Sequence, residues 1–132
     1  MAQRRTKVFF DAGCRPNPGA IEVAVVMRGT THLFDQLGEG TNSDAEWLGL
    51  LCALELAQAQ GAENVELIGD ALEVIRQANA ALGGAPCGPA HPQRQHILRF
   101  MALARQARPA RIRWVKRAQN LAGIALAARH PR

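Results

Sequence analysis

Apolar and polar positions follow a strand-like pattern in the first third of the chain. β-branched and aromatic residues form three short runs, separated by turns rich in Gly, Pro and Thr. Such short connections join antiparallel neighbours. The pattern therefore predicts an antiparallel meander with strands at 7–10, 21–27 and 32–37.

The hydrophobic period changes after Thr41. Apolar residues now recur every three or four positions, and Gly61 stands where a helix would end. This spacing predicts the first and longest helix of the protein. Its apolar face comprises Trp47, Leu50, Leu51, Leu54 and Ala57.

Strands and helices alternate in the rest of the chain, as in α/β domains whose later strands join the sheet through helical crossovers. We therefore predict an α/β fold in one domain, residues 1–132. It has a five-stranded mixed sheet, three antiparallel strands followed by two parallel strands, with helices on both faces. The later elements are a strand at 65–68, helices at 72–82 and 97–104, a strand at 112–115 and a helix at 121–128.

The composition is that of a folded globular protein. Of 132 residues, 48% are hydrophobic and 20% charged, enough for a core without disulfides. The cysteines, Cys14, Cys52 and Cys87, lie too far apart for a C-x-x-C pair, so we expect reduced thiols rather than zinc or disulfides. Residues 1–7 precede no apolar signal segment, and the longest apolar run, 47–54, is too short for a bilayer. We expect a cytoplasmic protein without membrane contact.

Positive charge is concentrated in one quarter of the chain. The net charge is +5 and the pI is about 10.1, which permits a polyanionic partner such as nucleic acid. The clustered cations could bind backbone phosphates or could form a solvated helix face. They are Arg94, Arg99, Arg105, Arg108, Arg111, Arg113, Lys116 and Arg117.

Two aspartates close predicted strands. Asp11 follows the first strand and Asp70 the fourth, so parallel pairing of these strands would bring both side chains to one edge of the sheet. Each also has an ordinary structural explanation. Asp11 could form an Asx turn into a loop at 13–19, and Asp70 could cap a helix that starts near Ala71.

Glu46 heads the apolar face of the first helix. Ser43, three residues earlier, also fits a capping box with it. Carboxylates that converge at one sheet edge repel each other by up to several kcal/mol, which a cation would relieve. Ligands that are all oxygen suit Mg²⁺ or Mn²⁺. Asp11, Glu46 and Asp70 are therefore candidate metal ligands for phosphodiester chemistry.

Four segments together resemble the type 1 ribonuclease H family. Residues 11–19 resemble its D-G-S-x-x-x-N-P-G opening, and residues 41–46 resemble its T-N-N-x-A-E motif. Residues 68–70 resemble its third acidic segment. Residues 114–127 resemble the V-P-R-E-x-N-x-x-A-D-x-L-A ending of compact members. The order and spacing of the four segments favour the ribonuclease H-like fold.

The resemblance implies a reaction and a partner. In the family, four carboxylates hold two Mg²⁺ ions. These ions activate a water molecule that hydrolyses the RNA strand of an RNA/DNA hybrid. The first three carry over as Asp11, Glu46 and Asp70. Contacts to the hybrid would distinguish RNA through its 2′-OH groups. The hybrid-binding residues implied are Gly13, Asn17, Thr41 and Asn42.

The chain departs from the family at the fourth carboxylate. Four residues after Asn120, where the family has aspartate, stands Ile124, preceded by Gly123. Asn120 is a candidate neutral oxygen ligand, but we expect it to start the last helix, and we expect His130 in a solvated tail. Isoleucine offers no ligand, so the resemblance implies a weakened metal site.

Three functional hypotheses follow from this departure. One is a slowed ribonuclease H-type endoribonuclease that depends on Mg²⁺ or Mn²⁺. Another is a catalytically inactive module that binds nucleic acid or a protein partner through the same face. The third is a related nuclease or resolvase with another substrate.

Overall fold

A mixed sheet of six strands forms the centre of the protein. The computed structural model describes residues 4–130, so the two ends of the predicted domain lie outside the described residues. The strands are β1 (Thr6–Arg15), β2 (Gly19–Met27), β3 (Thr30–Phe34), β4 (Glu39–Gly40), β5 (Val65–Gly69) and β6 (Arg111–Trp114). The helices are α1 (Asn42–Ala59), α2 (Leu72–Leu82), α3 (Arg94–Gln106) and α4 (Leu121–Ala128).

The sheet confirms the predicted topology and adds one short strand. Its order is β3-β2-β1-β5-β6, and β4 pairs with β2. The first three strands are antiparallel, whereas β5 is parallel to β1 and β6 to β5. The predicted count of five omitted β4, which has two residues and therefore no readable period.

The first strand is longer than its sequence suggests. It continues past Phe10 through Arg15, because the chain pairs with β2 along that whole length. The predicted loop at 13–19 is therefore mostly the end of a β-hairpin. Asp11 lies inside β1 opposite Ala24 and not at a strand end, so the Asx turn proposed for it is wrong.

The two faces of the sheet are covered unequally. One face carries the main core, which includes the fully buried Trp47 of α1 and Phe100 of α3. The other face is covered by α4, and its buried cluster is much smaller. That cluster contains Ala24, Ala122 and Leu126, with Phe9 and Val26 packed against it.

A capping box fixes the start of α1. Thr41 is the N-cap, its hydroxyl accepts from the Asp44 N–H, and the Asp44 carboxylate accepts from the Thr41 N–H. The pKa of Asp44 is lowered by that main-chain bond and by its 2.9 Å contact with His96. The ring of His96 also stacks on Trp47. The alternative capping box between Ser43 and Glu46 is not formed, and Glu46 does not cap the helix.

Two expectations from the composition concern the cysteines and the helices. Cys14, Cys52 and Cys87 are free cysteines. Across residues 4–130, no helix is both long and apolar enough to cross a membrane. The cytoplasmic location expected from the sequence stays a prediction.

A substitution at Gly69 tests the packing between the end of β5 and the core. A Cβ atom on this residue would lie 2.6 Å from Cζ of Phe10, whose ring is 2% exposed and has nowhere to move. We expect Gly69→Ala to lower the free energy of unfolding by about 1–3 kcal/mol, measured by urea denaturation. The matched strand variant Gly13→Ala meets nothing within 4 Å. Equal losses in both variants would contradict this packing.

Candidate active site

A polar pocket of about 410 Å³ opens where β1, β5, α1 and α4 meet. Its lining includes main chain and side chains from the β1–β2 hairpin, the start of α1 and one face of α4. Four carboxylates lie on it. They are Asp11, Glu22, Glu46 and Asp70.

Strand pairing places the two aspartates side by side. β1 and β5 are parallel with Phe9 opposite Ile68, so two residues further on Asp11 comes opposite Asp70. Glu46 reaches the same pocket from the second turn of α1. The structure thus brings together the three carboxylates selected from the sequence.

Burial and repulsion from neighbouring carboxylates disfavour the charged forms of Asp11 and Glu46. Asp11 is 9% exposed, and its pKa is raised to about 6, first by burial and then by the charge of Asp70. Burial also raises the pKa of Glu46, and Asp70 and Asp11 add to that effect. The cation of Arg117 lowers both values, but by less. The pocket therefore favours an additional positive charge.

The backbone of α4 closes the space above the two aspartates. A Cβ atom on Gly123 would lie 3.5 Å from Asp11 Oδ2 and 3.6 Å from Asp70 Oδ2, so this residue leaves room that a side chain would occupy. Ile124 is 56% exposed and does not line the pocket. Gly123 is thus the α4 residue that meets the aspartates. The assignment of Ile124 as the position of the missing acid stays a prediction.

Asn120 holds Asp70 and starts α4. It is fully buried; its Oδ1 accepts from the Ala122 N–H, and its Nδ2 donates to Asp70 Oδ2 at 3.1 Å and to the Phe10 carbonyl at 2.9 Å. Because its oxygen already caps the helix, the idea that Asn120 supplies a neutral metal ligand is wrong. Asp70 itself does not cap α2, whose N-cap is Ala71 without a side-chain bond.

The predicted hybrid-binding residues lie along one side of the pocket. Asn17 Oδ1 accepts from the Asn42 N–H at 3.2 Å, which ties the hairpin tip to the start of α1. Gly13 and Asn42 line the pocket, and Asn17 is exposed beside it. The hydroxyl of Thr41 is already bonded within the capping box. Asn17, Thr41 and Asn42 are exposed and Gly13 is partly exposed, so all four residues reach solvent, although the hydroxyl of Thr41 is already engaged.

Sequence reasoning missed Glu22 and misplaced His130. Glu22 lies in β2 and lines the pocket, with its carboxylate 2.5 Å from His130 Nε2 and 3.9 Å from Arg129 Nε. The expectation that His130 is part of a solvated tail is therefore wrong. The sequence feature that could have identified Glu22 is that it is the single acidic residue in the otherwise apolar strand predicted at 21–27.

The clustered cations do not form one phosphate-binding stripe. Arg117 lines the pocket, whereas Arg111 and Arg113 both pair with Glu66, at 3.5 and 3.3 Å. Arg99 pairs with Glu55, and Arg94 and Arg108 donate to main-chain carbonyls. The structure thus disperses a cluster that is continuous only in the sequence.

The donor set of the pocket fits a hard, hydrated cation. Within residues 4–130, no group of three or more His, Cys, Asp and Glu side chains is placed to hold a metal ion. Mg²⁺, however, is usually held by one or two carboxylates and retains several waters. Two carboxylate oxygens that face the open space at Gly123 meet that requirement.

Comparison with known proteins places this architecture in a family context. The reverse transcriptase-like family model matches residues 9–130. Ribonuclease HI of Halobacterium salinarum is 35% identical to this chain over 82 residues. These residues are 58% of this chain and 41% of the relative, so the match spans less than half of the relative's length. The crystal structure of RNase H1 from the same archaeon has a TM-score of 0.75 and 29% identity over 93% of this chain and 94% of that one. LC11-RNase H1, solved in complex with an RNA/DNA hybrid, has a TM-score of 0.69 and 25% identity, covering 88% of each chain.

The raised pKa of Asp11 predicts a stability change with a defined pH window. In metal-free protein, the folded state keeps the Asp11 proton up to about pH 6, whereas the unfolded chain loses it near 3.8. Stability therefore falls as the pH rises from about 4 to 6, and the penalty is complete above 6. We expect Asp11→Asn to stabilise EDTA-treated protein by roughly 2–3 kcal/mol at pH 7 and hardly at all below pH 4. A pH-independent difference in urea denaturation would contradict this explanation.

Gly123 and Ile124 can be distinguished by adding a charge at each. We expect Gly123→Asp to be less stable than Gly123→Asn in metal-free protein at pH 7, by on the order of 1 kcal/mol, because the new carboxylate meets two others. Ile124→Asp and Ile124→Asn should differ by less than about 0.5 kcal/mol, because the side chain lies in solvent. The reverse order in thermal unfolding would place Ile124, not Gly123, at the aspartates.

Proposed function

The chain belongs to the reverse transcriptase-like family and has a ribonuclease H-like fold, and from this premise we propose that it is a metal-dependent endonuclease for the RNA strand of RNA/DNA hybrids. The observation that supports this most is that the buried carboxylate of Asp11 and the partly buried carboxylate of Asp70 face one open space at Gly123. Glu46 adds a third carboxylate to the same pocket. Phosphodiester hydrolysis is the reaction that such a site suits.

The proposed metal ligands are Asp11 and Asp70, with Glu46 as the third carboxylate. A Mg²⁺ or Mn²⁺ ion bound there would lower the pKa of a water molecule and stabilise the leaving oxygen of the phosphodiester. Burial and then repulsion raise the pKa values of Asp11 and Glu46, and relief of that repulsion would favour binding of the ion.

Other residues of the chain would orient the reactants. Asn120 fixes Asp70 Oδ2 through a hydrogen bond and is itself anchored on the carbonyl of Phe10. Arg117 places a guanidinium on the pocket wall, where it can attract a phosphate. Asn17 and Asn42 would contact the hybrid at the rim and recognise the 2′-OH groups of its RNA strand.

Cleavage is proposed to be slow because α4 contributes no carboxylate. All eight residues of this helix are apolar or glycine. A water molecule would have to replace the fourth ligand, and it holds the ion more weakly than a carboxylate. The same observation favours a second candidate, a catalytically inactive module that binds nucleic acid or a protein partner through this pocket.

A cleavage assay across Mg²⁺ and Mn²⁺ tests the proposed activity. We expect the native protein to cut hybrid slowly, faster in Mn²⁺, and Asp11→Asn to lose at least about 100-fold of that rate. A carboxylate added by Gly123→Asp should raise the rate in Mg²⁺ by about tenfold or more, whereas Ile124→Asp, whose side chain lies in solvent, should change it by less than about twofold. The asparagine variants at both positions are the matched controls.

Each other outcome supports a different conclusion. If the native protein cuts as fast as both aspartate variants, the absent carboxylate does not limit the rate. Hybrid binding that persists in EDTA without cleavage by any variant would support the inactive module. Faster cleavage of duplex DNA or single strands than of hybrid would indicate a related nuclease with another substrate.

A further inference from the structure

A second groove, of about 550 Å³, lies beside α4 on the same face of the sheet, over the part that α4 does not cover. Phe9, Val26 and Leu121 form its apolar part. Leu121 borders this groove while Gly123 borders the acidic pocket, so the start of α4 separates the two. The cationic residues on the groove are Arg4, Arg5, Lys7 and Arg28.

The apolar part of the groove is incompletely covered. Phe9 and Val26 are cross-strand partners on β1 and β2, and both are only partly buried. Leu121 is 47% exposed, and Ile124, one turn further along α4, is 56% exposed. A helix composed only of apolar residues normally buries more than one side. This face therefore carries apolar surface that a partner would cover.

The cations around the groove lack matching acids. Arg5 pairs with Glu66, but that carboxylate is also shared with Arg111 and Arg113. Arg4, Lys7 and Arg28 make no ion pair with any residue in the described part of the chain. The groove thus combines an apolar floor with an uncompensated positive rim. An occupant must be both apolar and negatively charged.

We propose that this groove binds an acidic segment of a partner protein that inserts aliphatic or aromatic side chains between its carboxylates. Self-association through the groove would set cations against cations. A nucleic-acid strand would match the charge, but Val26 and Leu121 offer no stacking surface, and Phe9 packs against the cluster beneath α4. A protein segment can place apolar side chains on the floor of the groove and carboxylates against the cations of its rim.

Fluorescence anisotropy with defined probes tests this surface. The probes are a labelled 12-residue peptide with Leu at every third or fourth position among Asp and Glu, the same peptide with Ser for Leu, and a 12-nucleotide oligo-dT. We expect the leucine peptide to bind at least about tenfold more tightly than the serine peptide and the oligonucleotide. The double variant Lys7→Glu/Arg28→Glu should weaken it by at least about tenfold. All four substituted and control positions are exposed, so the variants should keep the fold.

The matched control is Arg76→Glu/Arg105→Glu, which changes the net charge equally on α2 and α3 and should leave peptide binding within about twofold. The proposal is overturned if the serine peptide or the oligonucleotide binds as tightly as the leucine peptide. It is also overturned if the control variant weakens binding equally, or if the leucine peptide does not bind. Hybrid cleavage plays no part in this test, so its result is independent of the proposed nuclease activity.

Discussion

The parallel pairing of β1 with β5 is the constraint on which the candidate active site depends. It sets Asp11, within β1, beside Asp70, the residue that follows β5, and both carboxylates line the same pocket. Burial, and after it the charge of Asp70, raises the pKa of Asp11 to about 6. The arrangement therefore lowers the free energy of unfolding of the metal-free protein. Such a loss of stability is common at functional sites, where ionisable groups have shifted pKa values.

The same pair of strands connects the site to the rest of the molecule. Asn120 joins the end of β5 to β1 by bonding both Asp70 and the carbonyl of Phe10, and it also begins α4. The ring of Phe10 in turn packs under Gly69, the last residue of β5. The position of α4 over the aspartates is therefore set by a buried hydrogen-bond network that originates in the sheet. A shift of any of these groups would move Asp11 and Asp70, the proposed metal ligands.

Local patterns in the sequence predicted the elements but not their relations. The 72–82 helix matches α2, and the convergence of Asp11, Glu46 and Asp70 was predicted because strand carboxyl ends meet at one sheet edge. The extension of β1 through 11–15 was missed because it depends on pairing with a strand elsewhere in the chain. β4 is too short to carry a period.

The orientation of α4 shows a further limit. Neighbouring residues on a helix differ by about 100° around its axis, so a motif alignment cannot say whether Gly123 or Ile124 faces a site. Here the hydrogen bond from Asn120 to the Phe10 carbonyl fixes the rotation of α4, and this bond joins residues 110 positions apart. The contacts of Glu22 and the basic groove are likewise tertiary properties that no local pattern encodes.

The most direct test of the account is a crystal structure of the protein soaked in Mn²⁺, with the ion located by its anomalous scattering. The account predicts an ion bound to Asp11 and Asp70 in the space at Gly123, with waters completing its coordination shell. An ion held elsewhere, or a pocket that stays empty at millimolar Mn²⁺, would contradict it.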